Sequence, residues 1–423
     1  METLIVGIIL LLLGLAGAPM FAIIAAIGLL AFNAAGTDTS ALIAELYRLV
    51  DFPALIAIPL FTFAGYILAE SKAPQRLIAM AKSLFGWMPG GLAVVALFTT
   101  AIFTAFSGAS GVTIIALGGL ILPALIKEKY PERFSLGLMT TSGSLGLLFP
   151  PSLPIILYSI VAKVNIDQLF MAGLVPGILL IVILSVYSVR KAIRAGVPRH
   201  PFEIRTVLAS LRDAAWEIPL PFIVIGGIYG GLITATEAAA VTAFYVLVVE
   251  VFIRRDLRFF SDVPRVLRES MILVGAILVM LGAAMGVTSY LIDEQIPMKL
   301  FEFISQFISS KLVFLIILNL FILVMNMVEI FSAIIIVVPI IVPVAMQYGV
   351  DPIHLGIIFL LNLEIGYMTP PLGLNLFLSH LRFERPLTSV YRAVLPFFAL
   401  LLAVLLLVTY FPELSTILVK GSG

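Results

Sequence analysis

Phe103 to Tyr158 reads FTAFSGASGVTIIALGGLILPALIKEKYPERFSLGLMTTSGSLGLLFPPSLPIILY, and this stretch decides how the rest of the chain is read. Small polar residues, Ser107-Gly108-Ala109-Ser110-Gly111, interrupt one apolar run. Thr141-Ser142-Gly143-Ser144 and Pro150-Pro151-Ser152 interrupt the next. Inside a bilayer a broken helix leaves backbone groups with no water to bond. Such breaks persist only where they are buried in protein or line a wet cavity. The stretch therefore predicts a binding site at mid-membrane.

Composition supports a membrane setting. The chain has 423 residues, 61% hydrophobic and only 12% charged, with mean hydropathy +1.18. A soluble domain carries about twice that charge. The apolar runs are continuous rather than alternating, which fits helices and not a transmembrane barrel. The net charge of +1 gives no nucleic-acid signal. The absence of cysteine excludes disulfides, thiol catalysis and Cys-ligated metal. The first apolar run starts at Leu4 with no basic flank, so it reads as a retained helix rather than a cleaved signal.

Working outward, the runs predict spans at 53–69, 169–189, 272–292 and 390–410, with shorter helices at 218–233 and 238–252. Residues 4–32 are interrupted at Gly17-Ala18-Pro19 and read as two short helices. Segments 72–87 and 297–307 are amphipathic and read as interfacial braces. Residues 38–51 read as polar connection, and 190–212 and 254–268 as basic loops. Hairpin-like runs lie at about 92–126 and 312–346, and broken helices at about 134–161 and 353–381. Glu237, after Thr234, reads as a helix cap.

The chain repeats itself. Pro123 pairs with Pro343, Gly146 with Gly366, Pro150-Pro151 with Pro370-Pro371, and Pro176 with Pro396, each 220 residues apart. Two halves, 1–212 and 213–423, are the mark of a repeat-built transporter. The segments 70–88, 127–133, 190–212, 254–268 and 382–392 hold 20 of the 25 Lys and Arg residues. Placing them in the cytoplasm makes 92–126 a hairpin entered from inside and 312–346 one entered from outside. The expected fold is all-α and polytopic: two inverted repeats, each with about five spans, one re-entrant hairpin and one discontinuous helix.

A broken helix offers carbonyl oxygens at one stub and N–H groups at the next. The first suits Na⁺ and the second a carboxylate. Pro151 and Pro371 are expected in the first turn of the second half-helix, where no N–H is missed. Hydroxyls come from Ser107, Ser110, Thr141, Ser142 and Ser144 in the first half. The second half supplies Asn326, Glu329, Ser332, Asn362, Glu364 and Thr369. Oxygen donors without Cys point to an alkali cation. Ser and Gly also permit close helix packing, but recurrence of the break at the matching place weighs against packing alone.

The motifs Ser107-Gly-Ala-Ser-Gly-Val-Thr113, Gly146-Leu-Leu-Phe-Pro-Pro-Ser152, Ala172-Gly-Leu-Val-Pro-Gly177, Thr236-Glu-Ala-Ala239 and Gly366-Tyr-Met-Thr-Pro-Pro-Leu-Gly-Leu-Asn-Leu-Phe377 resemble the large membrane (M) subunit of TRAP (tripartite ATP-independent periplasmic) transporters, within the ion-transporter superfamily. The resemblance covers nearly the whole chain. It implies a multi-pass protein of the bacterial cytoplasmic (inner) membrane that imports a small organic acid, such as sialic acid or a dicarboxylate. Coupling to two or more Na⁺ ions and an elevator motion are implied as well. So are two protein partners, a small four-helix membrane (Q-type) subunit and an extracytoplasmic substrate-binding protein.

Carried over by position, the ion ligands are Ser107, Gly108, Ser110, Ser142, Gly143 and Ser144 at the first site, and Asn326, Glu329, Gly366 and Thr369 at the second. The candidate substrate residues are Ser107, Ser110, Pro150, Pro151, Asn362, Glu364, Pro370 and Asn375. This chain departs from the family at Ala109, where Ser is usual, and at Met325 and Glu329, where Gly and Asp are common. The alternative within the class is a stand-alone Na⁺/carboxylate symporter needing no binding protein. With three His and neither HExxH nor GxSxG, the chain carries no enzyme signature. Opposed hairpins suit alternating access better than a channel.

Overall fold

The computed structural model describes residues 7–420, apart from 8, 11, 14–17, 50–51, 199–200, 326–329 and 372. The described residues are helical, with no strand among them. Six helices are long and apolar enough to cross a membrane, or up to eight if each bent pair counts as one span.

Helix pairs fill both expected hairpin regions, and both expected broken helices are interrupted. The first hairpin consists of Gly91–Ser107, the short helix Ser110–Ala116 and Gly118–Lys127. Its second arm bends by 49° at Leu117, a feature the apolar run did not signal. The first broken helix is Glu132–Ser142 and a 3₁₀ turn Leu145–Leu148, followed by Leu153–Ala162 at a 44° bend. The second hairpin has arms Lys311–Met325 and Ile330–Gln347, and the second broken helix has halves Pro352–Gly366 and Leu374–Phe383.

The halves interlock reciprocally. Pro53–Glu70 packs on Ala235–Leu247, and Asp262–Asp293 packs on Met20–Ala34. Ile166–Ala195 packs on Pro352–Gly366, and Leu387–Tyr410 packs on Glu132–Ser142. Leu153–Ala162 meets Ile330–Gln347, and Leu374–Phe383 meets Ser110–Ala116. Each contact has a counterpart with the halves exchanged.

Several expectations need correcting. The segment read as a basic loop at 190–212 carries the end of a helix running to Ala195 and a further helix, Ile204–Asp213. The loop at 254–268 holds the first turns of Asp262–Asp293. Charged amphipathic turns lack the continuous apolar signal by which spans were placed, so they escaped notice. Ser40–Arg48 and Glu413–Lys420 are helical for the same reason. Pro151 and Pro371 are not in the first turn of their half-helices. Leu153–Ala162 begins after Ser152, with Pro154 in its first turn, and Leu374–Phe383 begins after Gly373. Each Pro-Pro pair, joined by a cis bond, lies in the link between its half-helices. Residues 4–32 do break at Ala18-Pro19, and Thr234 with Glu237 forms a reciprocal capping box.

The amphipathic helix Ala73–Phe85 is more than an interfacial brace. Arg76 bonds Glu217, Asp256 and Glu250 in a half-buried knot, while Arg254 lies 3.9 Å from Glu217. Burial alone would raise the Asp256 carboxyl, but hydrogen bonds from Arg76 and the Lys72 N–H hold it below the ordinary carboxylate range. The matching helix Ile296–Ser305 is held by apolar contact with Ile330–Gln347 and by Phe301 set edge-on against Tyr348.

Candidate functional site

The first hairpin tip is a two-residue break. Gly91–Ser107 closes with Gly108 N donating to Thr104 O at 2.8 Å. Gly108 is left-handed, with φ +65°. A Cβ there would also strike the Leu153 side chain, so both conformation and space require glycine. Ala109 is extended, and the chain re-enters helix at Ser110.

Beneath the tip lies a group of oxygens with too few protons. The Thr104 hydroxyl is 2.7 Å from Thr100 O, 2.7 Å from Thr113 Oγ1 and 3.0 Å from Gly143 O. A hydroxyl has one proton to give, so the two carbonyls compete for it. Gly143 O belongs to the stub of Glu132–Ser142, where helix carbonyls lack intrahelical partners. Ser110 Oγ is buried with no partner among the described residues. Gly143 permits the approach, since a Cβ there would stand 2.5 Å from Ile114 Cγ1 and 3.4 Å from Ser110 O. The structure thus brings together Gly108, Ser110 and Gly143. Ser107, Ser142 and Ser144 are buried nearby in sequence, and their hydroxyls are spent on local carbonyls at 3.3–3.5 Å.

The two breaks also meet. Thr141 Oγ1 is 3.5 Å from Met368 Sδ. Asn375, from the second half, donates to Thr140 O at 3.2 Å, and Thr140 Oγ1 bonds Ser379 Oγ at 2.9 Å. Thr369 Oγ1 turns back to Ile365 O, and Gly366 O accepts from Thr369 N. Pro150 lies against an apolar cleft shared with Phe106, Phe149 and Pro221. Pro151 is buried. Pro371 O accepts from Tyr391 Oη, and Pro370 lies in the same link.

Asn362 is deeper. It donates to Asn319 Oδ1 at 2.7 Å, and Asn319 passes the bond to Thr409 at 3.1 Å. Glu364 is fully buried, and neither carboxylate oxygen has a partner among the described residues. The Oδ1 atoms of Asn362 and Asn375 are likewise without one. Asn326 and Glu329 lie outside the described residues. Sequence reading missed Thr104, Thr113, Thr140, Asn319 and Ser379. For Asn319 a signal existed, a lone amide in an otherwise apolar helix.

Residues 4–414 match the family "Tripartite ATP-independent periplasmic transporter, DctM component". The chain belongs to this family. It is a transporter permease of a TRAP system, not an enzyme. It is 38% identical over 381 residues, 90% of this chain and 89% of the relative, to the C4-dicarboxylate TRAP transporter large permease protein DctM of Pseudomonas aeruginosa. It is 32% identical over 374 residues, 87% of each chain, to the sialic acid TRAP transporter large permease protein SiaM of Vibrio cholerae. In fold it resembles the crystal structure of the Alcanivorax borkumensis YdaH transporter, with a TM-score of 0.62, 13% identity, and coverage of 88% of this chain and 87% of that one.

Proposed function

We propose that this permease imports a small organic acid by coupling its movement to Na⁺, with the cargo delivered by an extracytoplasmic binding protein. The observation that carries the reading is the oxygen group under the first hairpin tip. Thr104 Oγ1 lies 2.7 Å from Thr113 Oγ1 and 3.0 Å from Gly143 O, and Ser110 Oγ is buried close by in sequence with no partner among the described residues; hard oxygen donors of this kind suit an alkali cation. Gly366 and Thr369, with Asn326 and Glu329, are the corresponding set in the second half. The cargo carboxylate would lie between the breaks, near Pro150-Pro151, Pro370 and Asn375, where the second half-helices present their N-terminal ends. Asn362 and Glu364 back this region.

The halves 1–212 and 213–423 are read as inverted repeats, supported by their exchanged packing. Hairpins and broken helices form the moving core, and the long helices form the frame of an elevator. The tripartite family and its "large permease" relatives support two partners, a small four-helix membrane subunit and a soluble binding protein.

The test is uptake into proteoliposomes holding both membrane subunits, with the binding protein and a panel of organic acids outside. Uptake that survives collapse of the Na⁺ gradient would sink the reading. Uptake without the binding protein would return the stand-alone symporter.

A further inference from the structure

The helix Ser110–Ala116, which carries one side of the first tip, has only seven residues. About two turns cannot keep a direction unaided. Two contacts from separate parts of the chain hold it. Toward the tip, Thr113 Oγ1 meets Thr104, which reaches Gly143 O. At the far end, just before the 49° bend, Arg382 Nε donates to Ile115 O at 2.9 Å. A bend interrupts the regular ladder and leaves carbonyls in need of another donor.

Arg382 belongs to Leu374–Phe383, the second half of the second broken helix. The whole inner face of that helix grips the first half of the molecule. Asn375 bonds Thr140 O, Ser379 bonds Thr140 Oγ1, and Arg382 bonds Ile115 O. Positions 375, 379 and 382 follow i, i+4, i+7 spacing and so lie on one face. The hairpin is shaped to receive it. A Cβ on Gly119 would land on the Arg382 guanidinium, one on Gly118 would sit 2.7 Å from Phe383 Cζ, and one on Gly111 would sit 2.8 Å from Leu378 Cδ1. Three glycines on one arm thus meet three side chains on the other helix. Arg385 adds a 2.6 Å ion pair to Glu132 at the same corner.

We propose that Arg382 is a positioning residue for the ion site at the first hairpin tip. It sets the direction of Ser110–Ala116 from the opposite half, so ion binding at the first tip requires the second broken helix to be seated. The inference rests on the reading of the tip as a Na⁺ site, so the test has one readout that does not involve Na⁺.

The variants are Arg382→Gln, Arg382→Lys and Gly119→Ala, the last keeping the arginine but displacing it. Hydrogen exchange of amides 110–119 in the purified membrane complex should quicken by about fivefold or more in all three, on the scale of one charge-assisted bond weakened by exposure. In proteoliposomes the Na⁺ concentration for half-maximal uptake should rise about five- to tenfold, while KM for the loaded binding protein at saturating Na⁺ stays within about twofold. Quicker exchange in a wild-type background whose uptake ignores Na⁺ would retain the pin and remove the ion site. Unchanged exchange would overturn the proposal. So would full restoration by lysine, which would assign Arg382 to cytoplasmic charge alone. A fall in maximal rate with both half-saturation values unchanged would overturn it too.

Discussion

The two hairpins share an outline and differ in how they are held. Gly91–Ser107 of the first is buried along nearly its whole length, wedged among Pro53–Glu70, Ala73–Phe85 and Ile166–Ala195. Gly65 lets the frame come close, since a Cβ there would strike Phe106 O beside the tip. The equivalent arm, Lys311–Met325, buries only Phe314, Leu315, Leu318, Asn319 and Ile322. Leu312, Ile316, Leu320 and Val324 are exposed on its other face, which suits a hydrocarbon surround. The second arms differ too. One is a glycine strip locked by Arg382, and the other is an apolar helix containing Pro339 and Pro343 and no glycine. Sequence symmetry pairs the two hairpins, and the helices packed around each decide how deeply it is buried.

This contrast can be broken by substitution. The largest effect is expected at Arg76, whose loss removes the ion-pair partner of Glu217, Glu250 and Asp256 and leaves Arg254, 3.9 Å from Glu217, as the remaining side-chain cation in that knot among the described residues. Stranding buried carboxylates costs about 3–5 kcal/mol, so Arg76→Leu should lower the melting temperature of the purified complex sharply. The matching change Lys299→Leu, at an exposed 3.8 Å pair with Glu294, should leave it nearly unchanged. Next is Gly108→Val. Left-handed geometry costs about 1–2 kcal/mol and overpacking on Leu153 about 1–3 kcal/mol, and uptake should fall to background with the protein still in the membrane.

Thr104→Val and Asn319→Leu form a pair, one for each hairpin. Each deletes a buried partner and should cost about 1–3 kcal/mol. Only Thr104→Val is expected to raise the Na⁺ half-saturation strongly, because only it removes an oxygen from the crowded group at Gly143. Equal shifts from both would erase the distinction. The smallest effect belongs to Ile316→Ala on the outer face, expected within about 0.5 kcal/mol in thermal stability.

Much of this arrangement was legible in the chain. Polar breaks in apolar runs located the first tip and both broken helices, and the offset of 220 residues paired the halves. What could not be read was which side chains complete the site. Thr104 and Thr113 look like ordinary β-branched residues of an apolar helix, and only the fold at Gly108 sets them face to face. Arg382 sits in the Lys- and Arg-rich stretch 382–392, which the positive-inside reading had already absorbed, so nothing singled it out. Amphipathic elements such as Ile204–Asp213 hid in charged stretches because spans were sought by continuous apolarity. Ser107, Ser142 and Ser144 stood out by type; their hydroxyls bond local carbonyls, while Gly143 O accepts from Thr104.

If the first hairpin tip is a Na⁺ site as proposed, an ion bound there would hold the tip closed. The chain contains no cysteine, so a single Ala109→Cys substitution gives a clean reporter beside Gly108. The measurement is its labelling rate with a membrane-permeant maleimide, in Na⁺ and in K⁺ at equal ionic strength. The account predicts slower labelling in Na⁺ and loss of that protection when Thr104→Val is added. Equal rates in the two salts would contradict it.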